Sequence, residues 1–166
     1  MNKQYFTLNY KELSEVFYLD GNQLYRHGAS EPVSSKAVHF NGIRPTVRRV
    51  IFTLLYEREP VTDLLLDDDG YPVEVSNRVF MMFAYKNSGK NIETSESKKG
   101  LNGYTNQYKK LYGEKSYMAR YTPIEGCRII EVFDTIDEAK TWFVDNMKRV
   151  WGEEFKRLNL YNTYFG

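Results

Sequence analysis

Cysteine occurs once in this chain, at Cys127, and histidine twice, at His27 and His39. A single thiol excludes an internal disulfide and a multi-cysteine zinc site, and two imidazoles leave little material for a His-rich metal centre. No apolar run approaches the roughly 18 residues a membrane-spanning helix needs. The first residues have no apolar signal-peptide segment, so the expected setting is intracellular. Surplus charge is missing as well: 23 Lys and Arg face 22 Asp and Glu, a net +1. That balance alone does not point to a polyanionic partner.

Aromatic side chains are plentiful, with 14 Tyr and 10 Phe in 166 residues. Tyrosine buries area while keeping a polar tip, so some of these rings suit an interface and most suit a core. A 42% apolar content is enough for the core of one medium domain or two small ones. Charge is unevenly spread: residues 1–97 carry a net −2 and residues 98–166 a net +3. The C-terminal part is mildly basic, without the dense stripe that marks strong phosphate binding.

Along the chain, Leu13, Val16 and Phe17 recur at helical spacing and predict a short helix from near Asn9. Gln23–Arg26 reads as a strand after the turn Asp20-Gly21-Asn22. Asn41-Gly42 predicts a tight hairpin turn between Ala37–Phe40 and Ile43. From Pro45, the residues Val47, Val50, Ile51, Leu54 and Leu55 form one apolar helix face, which Pro60 is expected to stop. Arg44, Arg48 and Arg49 cluster at the start of that helix, where cations oppose the macrodipole, so a role other than helix stability is expected for them. Asn77–Tyr85 fits either a short helix or a buried strand, and Lys86–Asn102 reads as a polar linker. The remainder predicts three strands, over Gly103–Lys110, Lys115–Tyr121 and Arg128–Phe133. A helix then follows the capping box Thr135-Ile136-Asp137-Glu138 and ends before Gly152. One face of that three-stranded sheet would be free to bind.

The stretch Leu64–Arg78 sets the functional question. An apolar run ends in Asp67-Asp68-Asp69-Gly70, followed by a turn and Asn77-Arg78. Carboxylates at a strand end suit a hydrolytic metal site, and they equally suit an exposed acidic turn.

Two resemblances bear on that choice. The segment Val47–Pro60, then Leu66-Asp67-Asp68-Asp69-Gly70 and Asn77-Arg78, resembles the phage HNH homing-endonuclease family. That family's pattern is a His-Arg-led helix, a Gly-Glu-x-Pro exit, Asp-His-x-Asn-Gly and Asn-Arg-x-x-Asn-Leu. The opening Leu13–Phe17 with Gly21 and Leu24 is similar to the family's first hairpin. Further on, Tyr117-Met118-Ala119-Arg120-Tyr121, Phe133-Asp134-Thr135, Glu138-Ala139 and Trp151 to Asn159 resemble the APETALA-type DNA-binding domain of plant ethylene-response factors, which phage HNH endonucleases often carry. Together the resemblances imply an α+β protein. A degenerate HNH-like ββα domain would span residues 1–96, and a β-β-β-α DNA-binding domain, a three-stranded antiparallel sheet packed on one helix, residues 97–166.

The departures carry as much meaning as the matches. In register with Gly70, the family's catalytic His falls on Asp67 and its Asn on Asp69, while Asn77 keeps its place after a longer loop. The family uses that His as general base for water beside one Mg²⁺. A carboxylate with an ordinary pKa is a much weaker base at neutral pH. The expectation is therefore a non-enzymatic protein of phage origin, needing no cofactor, that binds double-stranded DNA in the cytoplasm of a bacterial host. The resemblance implies DNA contacts from Arg120, Arg128, Lys109, Lys110, Tyr104 and Tyr117, with Tyr121 as a further candidate on the sheet. The basic start of the first-half helix adds Arg48 and Arg49. An alternative is an inhibitor or accessory protein that binds a host protein, with Asp67–Asp69 and Glu74 as an acidic patch. A third reading keeps nuclease activity with Asp67 and Asp69 as Mg²⁺ ligands. His39 is expected on the surface or in the core, away from any chemistry.

Overall fold

The computed structural model describes residues 7–88, 91–94 and 117–166. It is a mixed α and β protein, as expected. Two compact units divide the chain, Met1–Phe80 with Leu158–Thr163, and Met81–Arg157 with Tyr164–Gly166. The division falls between Phe80 and Met81, and Leu158–Thr163 belongs with the first unit.

In the first unit, helix α1 spans Tyr10–Val16. Its N-cap is Asn9, whose Oδ1 accepts from the amides of Lys11 at 2.9 Å and Glu12 at 3.4 Å. Phe17 leaves the helix in an extended conformation and starts strand β1, Phe17–Asp20. Helical spacing predicts Phe17 on the helix, and the structure places it on the strand. Strand β2, Gln23–Arg26, pairs antiparallel with β1 and sets Leu19 opposite Leu24. Gly21 turns the hairpin with φ +60°, a conformation that suits glycine.

Phe40 and Ile43 exchange both backbone hydrogen bonds across Asn41 and Gly42. Both turn residues have positive φ, 46° and 77°, as a type I′ turn requires. Helix α2 spans Val47–Tyr56, and the Oγ1 of Thr46 caps it by accepting from Arg49 N at 3.4 Å. It ends at Glu57, which adopts the left-handed conformation (φ 56°), so the stop comes before Pro60. Val50 and Ile51 join Leu8, Leu13, Phe17 and Leu24 in the core of this unit. Leu55, placed on the apolar face by spacing, is 38% exposed.

Strands β3, Asp63–Leu66, and β4, Pro72–Val75, form a second antiparallel hairpin. Helix α3, Asn77–Ser88, follows, which decides the ambiguous segment in favour of a helix. The deciding group is Ser76, whose Oγ accepts from Val79 N at 3.3 Å.

The second unit holds a sheet of order β5-β6-β7, from Ile92–Thr94, Tyr117–Ile124 and Cys127–Phe133, antiparallel throughout. Its first strand lies within the stretch read as linker. The strand expected at Gly103–Lys110 falls outside the described residues. Helix α4, Ile136–Arg157, opens with the capping box: Glu138 N donates to Thr135 Oγ1 and Thr135 N to Glu138 Oε2, both at 3.2 Å. It does not stop before Gly152. Glycine inside a helix costs about 1 kcal/mol, and burial of a large aromatic such as Phe155, fully enclosed one turn later, returns roughly 2–3 kcal/mol. Continuation therefore wins. Helix α5, Tyr161–Phe165, closes the described chain. No helix among the described residues is long and apolar enough to cross a membrane.

Candidate functional site

The acidic stretch is the loop of the β3–β4 hairpin, and every carboxylate in it has work within the first unit. Asp67 folds inward: its Oδ1 accepts from Asp69 N at 3.0 Å and Tyr71 N at 2.9 Å, which shapes the turn. Asp68 reaches the start of α5, where its Oδ1 accepts from Thr163 N at 2.7 Å and Thr163 Oγ1 at 2.6 Å. Its Oδ2 accepts from Asn162 N at 3.3 Å. These are second- and third-position amides, the donors a helix N-cap normally satisfies. Asp68 caps the helix from across the fold, because the residue before α5 is Leu160, which has no acceptor side chain. The Thr163 hydroxyl holds the Asp68 carboxyl below its ordinary range; burial opposes it, and the amides of Thr163 and Asn162 add to the lowering.

Asp69 completes the attachment. Its Oδ2 accepts from Asn159 Nδ2 at 2.9 Å, and its carbonyl accepts from Asn22 Nδ2 at 2.9 Å. Asp68 N donates to the Asn159 carbonyl at 2.7 Å. Gly70 (φ +83°) lets Asn22 approach; a Cβ there would stand 2.4 Å from Asn22 Nδ2.

This donor environment does not fit a divalent metal. A Mg²⁺ site needs carboxylate oxygens facing a common point with room for several waters. Here Asp67 and Asp69 each give an oxygen to N–H donors and Asp68 gives both. No group of three or more His, Cys, Asp or Glu among the described residues is arranged to hold a metal ion. Asn77 is exposed in the first turn of α3. His39 is exposed, and its carbonyl accepts from Arg26 at 2.8 Å. Glu74, grouped with the aspartates as an acidic patch, is instead gripped by both terminal nitrogens of Arg58 at 2.9 Å. The Arg58 guanidinium and the Val61 amide lower its pKa.

The arginines of α2 differ from one another. Arg49 is ion-paired to Glu59, the structural reason for a cation at that helix start. Arg48 is exposed.

On the sheet, side chains alternate between the two faces. Tyr121 faces α4: its hydroxyl donates to Asn146 Oδ1 at 3.1 Å and accepts from Arg149 at 3.1 Å, and its ring meets Trp142 at 5.5 Å. Tyr117 shares that parity and is paired with Phe133, whose ring also meets Trp142, at 5.7 Å. Both tyrosines thus stand on the helix side, not on the face expected to bind. Arg120 stands on the other face, opposite Ile130 in the register. Arg128, exposed and two residues before Ile130, shares the parity of that face. Tyr104, Lys109 and Lys110 lie outside the described residues. The partners Asn22, Asn159 and Thr163 were not legible in advance, since the contacts they make span 47 to 95 residues of sequence.

No protein-family model, curated protein or solved structure matches the chain.

Proposed function

We propose that this chain is a non-catalytic protein that binds double-stranded DNA through the sheet face turned away from α4. The observation that carries the reading is the placement of Arg120 and Arg128 on one side of adjacent strands, opposite the side that packs on the helix. Arginine in that setting can grip phosphate or read guanine with two nitrogens, and strands can lie in a groove. The order β3, β4, α3 agrees with the ββα arrangement that the HNH resemblance implies, with Asp67 just after the first strand of the three. The commitment of Asp67, Asp68 and Asp69 to structural hydrogen bonds supports a loop without hydrolytic chemistry.

Fluorescence anisotropy on a pool of random duplexes tests the binding. Affinity is expected to fall linearly with salt on a log–log scale. Arg120→Ala should weaken binding about tenfold if the arginine reads bases, and Arg128→Ala should reduce the salt slope by about one if it touches phosphate. Affinity that is indifferent to ionic strength would remove the reading.

The absence of catalysis has its own test. Supercoiled plasmid with Mg²⁺ or Mn²⁺ should remain unnicked, and about 10 mM Mg²⁺ should leave the thermal midpoint of the protein unchanged, since a ligand that binds only the native state would raise it. Nicking that Asp67→Ala abolishes would restore the nuclease reading.

One observation favours a protein partner instead. Ile124 and Ile130 are 69% and 42% exposed on the β6–β7 hairpin, beside the arginines. A host protein retained by the chain after nuclease treatment would favour that second reading.

A further inference from the structure

Within the second unit, α3, β5, α4 and α5 surround a cavity of about 500 Å³. Its size is that of a small-molecule site. Phe143, Val144, Ile136 and Phe165 make its lining mostly apolar, and Ile136 and Val144, 38% and 36% exposed, leave its mouth open to solvent. The charged side chains on its wall are both cations, Lys86 and Lys140, and no described lining residue is acidic.

A second observation comes from Tyr164, which also lines the cavity and is 4% exposed. Its hydroxyl is buried and has no hydrogen-bond partner among the described residues. With almost no accessible surface that hydroxyl lies behind the cavity wall, and burial pushes the phenol up to about 12. Lys86 stays beside it, donating to the Tyr164 carbonyl and lying 5.1 Å from its ring centre.

We propose that this cavity binds an amphipathic organic anion of the medium-chain carboxylate class. The apolar chain lies against Phe143, Val144 and Phe165, and the carboxylate lies at Lys86 and Lys140. The chemistry follows from the lining: apolar walls reward a hydrocarbon body, and the two cations select a negative head. The site is independent of DNA binding, which the sheet face would carry.

The test is calorimetric titration of the full chain with octanoate, with octan-1-ol as the uncharged control of equal chain length. Octanoate should bind saturably at one site, with octan-1-ol at least about tenfold weaker. Lys140→Gln should weaken octanoate roughly threefold to fivefold, an exposed cation's share, and leave octan-1-ol unaffected. Val144→Trp, which fills the cavity from a partly exposed position, should abolish binding of both. Tyr164→Phe should fold with at least the wild-type thermal midpoint, because no hydrogen bond among the described residues is lost, and should leave octanoate affinity unchanged. The proposal is overturned by no saturable binding up to about 1 mM, by equal affinity for the alcohol, or by unchanged octanoate affinity in Val144→Trp.

Discussion

Replacing Phe155 with alanine is expected to cost about 3–5 kcal/mol, enough to lower the thermal midpoint by roughly 10 °C. Phe155 is fully buried and central to an aromatic cluster in the second unit. Its ring stacks on Tyr164 at 4.6 Å and meets Phe83 and Phe165 edge-on at 5.7 and 5.5 Å. Truncation would leave three rings facing a void that backbone on two helices cannot close. Phe155→Leu, which keeps most of the volume, should cost less than half as much. Urea unfolding of the two variants beside the wild type checks this; a loss under about 1 kcal/mol for Phe155→Ala would mean that the cluster is not packed as described.

The second large effect concerns Asp68. Alanine there removes three hydrogen bonds to the start of α5, an expected loss of about 2 kcal/mol, the upper part of the range for helix caps. Its pH dependence identifies the cause. The native carboxyl has a pKa below the ordinary aspartate value. Folding therefore favours the ionised form, so the contribution is complete above the unfolded pKa and is lost as pH falls through the native one. The stability gap between wild type and Asp68→Ala should be constant from neutrality down to about pH 5 and should narrow in more acidic solution. A gap that stays constant to about pH 2, or widens with acid, would mean that the charge of Asp68 is not what holds α5.

This gives the acidic loop a different meaning from the one its sequence suggests. In the proposed HNH register, Asp67 and Asp69 would stand where a nuclease keeps its base and its asparagine. In the structure the same residues close a turn and bind Asn159, while Asp68 caps a helix. Hydrogen bonding of this kind gives three consecutive carboxylates a structural reason to be there.

What the sequence determined by itself was whatever depends on neighbours in the chain. Asn9 announced α1 because an Asn side chain can reach amides two and three residues on. Asn41-Gly42 announced its turn because both residues tolerate positive φ. Thr135 and Glu138 announced the start of α4 because each reaches the other's amide. The arginines at the start of α2 were legible as an anomaly, but only the fold supplied Glu59 as the partner of Arg49.

Tertiary structure decided the rest. It carried α4 through Gly152, since burial of Phe155 outweighs one glycine's propensity. It recruited Ile92–Thr94 as a strand from a polar stretch, because a strand of three residues is held by its pairing with β6 and carries no periodic signal of its own. It turned Tyr117 and Tyr121 toward α4 and Arg120 away from it, a choice that strand alternation permits in either direction and packing alone fixes. And it committed Asp68 to Thr163, 95 residues away, through contacts that no local pattern encodes because they form only when distant backbone is brought together.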